Sequence, residues 1–253
     1  MRDIIVFGLL VGVNKMWNET YALSELPDDD ETEEEVDFID STLDLKDGST
    51  ILDLCCGQGR HALKLSETGY YVIGLDFSSV LLDIANDSSL SNLWFIEGDM
   101  RNIPLQKNSC DAVINMFTSF GFFDDKDNLQ VLKSVSSVLK CKGKLLLDYW
   151  NPYAAVQLDG TRNWWWVSDK VLSLAEVKYD YASGRLQDHR TIIDFEKASM
   201  VKSIRDMKFY TLPELESMLN SAGLRIIEVY GDIDERDYDS NSRRLITLSE
   251  KIK

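Results

Sequence analysis

Asp53 stands four residues ahead of a glycine pair, in the run Asp53-x-x-x-Gly57-x-Gly59, and this spacing is where the chain can do chemistry. An apolar stretch precedes it and a helical pattern follows, so the local reading is strand, turn, helix. Glycine lets the backbone approach a ligand and adopt conformations closed to other residues. The first turn of the following helix offers N–H groups that have no partner within the helix. Two ligands compete for this turn. Gly57-x-Gly59-x-x-Ala62 fits the dinucleotide pattern G-x-G-x-x-G/A, with Asp76 as the later acid. Asp53 favours another ligand, because a fixed carboxylate beside the turn orients a cationic amine through charge-assisted contacts.

More side chains follow at the ends of apolar runs. Asp76 closes one run and suits both hydroxyls of a ribose, with Phe77 beside it to lie against a base. Gly98-Asp99-Met100 follows the next run, a tight turn that presents one carboxylate. Asp111 to Asn115 leads into Phe117, Phe120, Phe122 and Phe123, spaced by Thr118, Ser119 and Gly121. That segment suits a pocket wall for a sulfonium and an apolar or amine substrate, since aromatic faces attract cations. The two histidines, His61 just after the glycines and His189 in the second half, are the candidate bases, with Tyr149 at a strand end over the pocket. Trp164–Trp166 reads as a substrate wall or as a strand in a subunit interface.

Alternating elements must position these groups. Apolar runs at 50–55, 71–75, 93–96, 111–116 and 144–149 read as buried strands, with helices at 60–67, 78–86 and 127–140 between them. Such alternation predicts a parallel sheet with helices on both faces, and a ligand at the carboxyl ends of its strands. From 151 to 210 the pattern becomes an antiparallel meander, with strands over Val171–Tyr181, Leu186–Phe195 and Met200–Tyr210. Thr211 to Glu214 then forms a capping box, Gly223 stops the helix, and Leu224–Tyr230 and Arg244–Leu248 close the sheet. The chain divides into an N-terminal cap segment and helix (1–47), a core (48–150 and 211–253) and an inserted lid or dimerisation unit (151–210).

Composition narrows the partners. The 253 residues carry a formal net charge of −16, which argues against a nucleic-acid substrate. Eight acids fall within Asp28–Asp37 and read as a solvated helix start. The four cysteines form neither a disulfide framework nor a metal-ligand spacing, so reduced thiols in a cytoplasmic protein are expected, with no metal. The apolar run Ile4–Val13 is too short to span a bilayer.

Taken together, Asp53-x-x-x-Gly57-x-Gly59, Asp76, Gly98-Asp99-Met100, Asp111-x-x-Ile114-Asn115 and the turn Leu139–Gly143 resemble the class I S-adenosylmethionine-dependent methyltransferases. The family's proline in that last turn is replaced by Cys141. The resemblance implies a Rossmann-like α/β sheet, mostly parallel with an antiparallel last strand, and an antiparallel β insertion after the fifth strand. It implies S-adenosylmethionine as cofactor. The methionine end would lie at Asp53, Cys55, Gly57 and Gly59, the ribose at Asp76, and the adenine between Phe77, Asp99 and Met100. Asn115 and Phe117 would close over the methionine amine, and Tyr21 would cap the cofactor. The segment Asn115–Phe123 and the insertion most resemble small-molecule members, including amino-sugar N-methyltransferases. A small-molecule methyl acceptor, transfer to N or O, and a homodimer through 151–210 are the expectations. RNA or protein methylation, a nicotinamide oxidoreductase and a non-catalytic S-adenosylmethionine-binding protein stay open.

Overall fold

The computed structural model describes residues 29–86 and 90–252. Tyr21 and the apolar run Ile4–Val13 lie outside them. The first helix, α1 (Asp29–Leu43), opens on Asp29, Asp30 and Glu31, where acids favour the helix dipole, and buries Val36, Phe38, Ile39 and Leu43. Strands β1 (Thr50–Leu54), β2 (Tyr71–Asp76), β3 (Leu93–Glu97) and β4 (Cys110–Asn115) alternate with helices α2 (Arg60–Glu67), α3 (Ser79–Ala85) and α4 (Asp125–Val138). Strand β5 (Leu139–Trp150) follows α4 directly.

A seven-stranded sheet runs in the order β10-β11-β5-β4-β1-β2-β3, where β10 is Leu224–Tyr230 and β11 is Arg244–Lys251. Pairings among β1 to β5 are parallel, and β11 lies antiparallel to both β5 and β10. The order reverses between β1 and β4, which leaves a crevice at their carboxyl ends. On one face Ile51, Val72 and Ile114 pack with Phe38 and Ile39 of α1 and with Leu65 of α2. On the other, Leu52, Val113 and Leu147 pack with Val131 and Val135 of α4. Leu215 and Leu219, on the helix after the insertion, join that second layer.

A short helix α5 (Pro152–Val156) leads into a separate antiparallel sheet of four strands, β6 (Arg162–Ser168), β7 (Val171–Asp180), β8 (Arg185–Asp194) and β9 (Ser199–Lys208). The meander thus has one strand more than the three expected, and the added strand carries the tryptophan run. Leu186 and Met207 anchor this second sheet to the main core, beside Phe209 and Tyr210. Helix α6 (Leu212–Ser221) starts with the capping box at Thr211 and Glu214. Among the described residues no helix is long and apolar enough to cross a membrane.

Two local readings change. The turn at Leu139–Gly143 is a bulge within β5, where pairing jumps from Cys110–Leu139 to Ala112–Lys144 and Lys142 takes a φ of 63°. The acidic run is not wholly solvated: Glu35 is 1 % exposed, because two guanidinium groups compensate its charge.

Candidate active site

Side-chain alternation along β1 sets Ile51 and Asp53 on one face and Leu52 and Leu54 on the other. Asp53 therefore turns under α2, where it accepts the Ala62 N–H and is 2 % exposed. Its Oδ2 meets no donor. Burial pushes this carboxyl up to about 7, with Arg60 opposing and Asp76 adding to the rise.

The chain then turns through three residues with positive φ: Cys55 at 64°, Gly57 at 57° and Gly59 at 80°. The two glycines differ in purpose. A Cβ on Gly57 would meet only Leu81, at 3.8 Å, so this backbone faces open space. A Cβ on Gly59 would lie 2.6 Å from the Phe95 ring, so this glycine is demanded by packing at the start of α2.

A cavity of about 320 Å³ opens beside the turn at the carboxyl ends of the parallel strands. Of the residues expected at a cofactor, Cys55, Gly57, Asp76, Phe77, Asp99, Met100 and Phe117 line it together. Asp53, Gly59 and Asn115 stand behind the wall, since the lining does not include them. Asn115 donates from Nδ2 to the Leu54 carbonyl at 2.8 Å, and its Oδ1 has no donor.

Asp76 ties the turn to the end of β2. Its Oδ2 accepts the Gly57 N–H at 2.9 Å and its Oδ1 the Ser78 N–H at 2.9 Å, which leaves acceptor capacity on each oxygen. Burial raises this carboxyl, against the N–H groups of Ser78, Gly57 and Phe77. Asp99 is held differently. Arg101 grips it through Nε at 3.0 Å and Nη2 at 2.6 Å, and this fork lowers the Asp99 carboxyl. Arg101 also reaches Asp127 at 2.8 Å and stacks 4.4 Å from the Phe123 ring centre.

Phe117 and Thr118 sit side by side in the left-handed region, with φ of 58° and 56°. Such residues cost about 1–3 kcal/mol each and persist only when the surroundings dictate them. Here Asp148 does so: its Oδ2 accepts the Phe117 N–H at 2.8 Å and its carbonyl accepts the Thr118 N–H at 3.2 Å.

None of the three candidate catalytic residues, His61, Tyr149 and His189, lines the cavity. His61 is buried in an ion cluster, with Nε2 2.9 Å from Glu35 Oε2, and burial lowers its basicity although Glu35 opposes this. Tyr149 is fully buried among Phe120, Phe209 and Tyr210; its hydroxyl donates to the Lys208 carbonyl and accepts the Tyr210 N–H. Both sides of that hydroxyl are occupied in fastening the second sheet to β5. His189 lies in the middle of β8, paired in register with Glu176 and Ile204, with Nε2 buried and without a hydrogen-bond partner. The sequence reading had missed Arg60 and Arg101, which do line the cavity. Each directly follows or lies two residues beyond a residue already singled out, Gly59 and Asp99.

These residues fit S-adenosylmethionine. Two buried acceptors, Asp53 Oδ2 and Asn115 Oδ1, lack donors just behind the wall at the glycine turn, a negative field that suits the methionine ammonium. Gly57 leaves the close approach open, Asp76 keeps free lone pairs for ribose hydroxyls, and Phe77 and Met100 offer flat and soft surfaces for the adenine. A nicotinamide dinucleotide would use the turn and Asp76 but would leave the donorless acid before them unexplained.

Residues 51–143 match the family model described as a methyltransferase domain, and the sheet has the mostly parallel order with an antiparallel last strand that the resemblance implies. Particular relatives agree. YqeM of Bacillus subtilis (strain 168), itself named only provisionally as a methyltransferase, is 27 % identical over 83 % of this chain and 87 % of its own. Demethylmenaquinone methyltransferase of Lactococcus lactis is 38 % identical, but the match spans 39 % of this chain and only 41 % of that protein. The structure of CalS10 with bound S-adenosylmethionine, an amino pentose methyltransferase of Micromonospora echinaspora, superposes with a TM-score of 0.68 at 21 % identity, covering 96 % of this chain and 98 % of that one.

Proposed function

We propose that this methyltransferase acts in the cytoplasm on a nitrogen or oxygen atom of a small molecule. One observation carries the choice of acceptor class. Both arginines on the cavity wall are already paired, Arg60 with Glu35 at 2.6 Å and Arg101 with Asp99 and Asp127 at 2.6 and 2.8 Å. Among the described residues no lysine lines the wall. A polynucleotide needs unpaired cations along its backbone, and a chain of net charge −16 gives none to spare at this mouth. The remaining wall, Met116, Phe117, Ser119, Phe122 and Phe123, is apolar and aromatic with a single hydroxyl, which suits a compact amine or hydroxyl compound. The free state of all four cysteines supports a reducing compartment.

Bound S-adenosylmethionine supplies a methyl group already activated on a sulfonium. The work left to the chain is orientation and exclusion of water, which is worth about 7–11 kcal/mol for a well-aligned pair. Phe117, Phe122 and Phe123 exclude water from the mouth, and their faces favour positive charge. Among the described residues the wall carries no histidine or tyrosine, and its carboxylates are engaged, Asp76 by backbone N–H groups and Asp99 by Arg101, so this wall leaves no base free for the acceptor. An acceptor that arrives as a neutral amine needs none and yields its proton to solvent after transfer.

The test is S-adenosylhomocysteine release by the full chain over a panel of amines, amino sugars, hydroxy acids and quinols. Quinols belong in it because the Lactococcus lactis relative is named for a quinone, the oxidised counterpart of a quinol. Turnover with a small amine or hydroxyl compound is expected. Methyl incorporation into RNA or protein, with none into the panel, would overturn the proposal.

A further inference from the structure

We infer that Glu35, Asp148 and Arg244 are positioning residues of the cofactor cavity: with Phe117 and Arg60 they close a ring of contacts that fixes its wall. The inference rests on the cofactor reading above. Phe117 and Arg60 line the cavity, and the other three lie behind it. From the Phe117 N–H the ring passes to Asp148 Oδ2 at 2.8 Å, then to Arg244 Nη1 at 3.1 Å. Arg244 Nη2 reaches Glu35 Oε1 at 2.9 Å, and Glu35 Oε2 holds Arg60 Nη2 at 2.6 Å. The Arg60 guanidinium then lies 5.4 Å from the Phe117 ring centre, which closes the circuit.

Five segments meet here: α1, the start of α2, the loop after β4, and the carboxyl-end half of β5 with the first residue of β11. The side chains of Glu35, Asp148 and Arg244 are 2 %, 2 % and 10 % exposed. A buried ion pair is weak evidence for stability, because desolvation offsets much of the attraction. A site that only needed filling would accept apolar side chains. What this cluster adds is direction. A guanidinium presents two Nη groups in a fixed plane, so Arg244 sets Asp148 and Glu35 relative to each other, which a lysine point charge does not. Glu35 repeats the arrangement with its two oxygens, one toward Arg244 and one toward Arg60. Asp148 in turn holds Phe117 and Thr118 in a conformation they would not otherwise take.

The chain contains its own control. Arg244 is the first residue of β11 and Lys251 the last. Lys251 is also a buried cation, bonded to the Leu139 carbonyl at 2.7 Å and Asn108 Oδ1 at 2.9 Å, at the end of the strand away from the cavity. The experiment is calorimetric titration of the full chain with S-adenosylhomocysteine, alongside thermal unfolding, for the wild type, Arg244→Lys, Arg244→Met, Glu35→Gln and Lys251→Met. The ring variants are expected to lose affinity by about tenfold or more, while Lys251→Met loses stability and keeps its affinity within about twofold. Should Arg244→Met fail to fold, Arg244→Lys and Glu35→Gln carry the comparison. Folded ring variants that bind as tightly as wild type would overturn the inference, as would an equal affinity loss in Lys251→Met. A wild type that does not bind would overturn the cofactor reading itself, at the first titration.

Discussion

Asp53 shows how a motif residue can serve a ligand without touching the cavity. Its carboxyl stands near 7 against an ordinary 3.8, raised chiefly by burial. The native state therefore keeps a proton that the unfolded chain has released. This contribution to stability is complete below the ordinary value and is lost as pH rises through about 7. Asp53→Asn should remove that slope and make the ligand-free protein more stable than wild type at pH 8, by on the order of 1–3 kcal/mol, with little gain near pH 4. Thermal unfolding across that range checks it, and an unchanged slope would mean that Asp53 is ionised in the ligand-free chain. The glycines make a second pair of predictions. Gly59→Ala should destabilise the fold by about 2–4 kcal/mol, through its clash with Phe95 and its positive φ. Gly57→Ala should stay folded and lose S-adenosylhomocysteine affinity instead. The acids and aromatics at the cavity were legible because each ends an apolar run, where a parallel sheet gathers its ligand contacts. Their partners were not. Glu35 and Arg244 are 209 residues apart and no local pattern joins them, while Asp99 and Arg101 are close in sequence yet their pairing is a side-chain geometry.

At the scale of elements, the attachment of the second sheet depends on Tyr149. Its hydroxyl spans from β5 to the residues that leave β9, Lys208 and Tyr210. Tyr149→Phe should cost about 1–3 kcal/mol, the penalty for leaving buried backbone groups unpaired. Hydrogen exchange should quicken at the Tyr210 amide while cofactor affinity holds; a loss of turnover with no loss of stability would restore Tyr149 as a catalytic residue. The strand periods of the core were readable because buried parallel strands are short continuous apolar runs. The tryptophan run was harder. In β6 the pleat divides it, so that Trp164 and Trp166 face outward at 64 % and 53 % exposure while Trp165 lies under Arg190. Three consecutive tryptophans show no alternation, so their sequence does not reveal which face they take. The bulge in β5 was read as a turn before the strand for a similar reason: Lys142 supplies the positive φ that a glycine would have announced.

The whole molecule is one open sheet with a cavity at its switch point and a second, antiparallel sheet fastened to β5 through the core. The charge of −16 and the paired arginines at the mouth predict no retention of total RNA on a filter at low salt, where electrostatic binding is strongest. Retention there would return nucleic acid to the acceptor classes. The central claim is that the glycine turn and Asp76 hold S-adenosylmethionine rather than a nicotinamide dinucleotide. Calorimetric titration of the wild type and of Asp76→Ala with S-adenosylhomocysteine and with reduced nicotinamide dinucleotide tests it most directly. The account predicts one site for S-adenosylhomocysteine in the wild type, abolished in Asp76→Ala, and no heat from the dinucleotide. Dinucleotide binding, or S-adenosylhomocysteine affinity unchanged in Asp76→Ala, would contradict it.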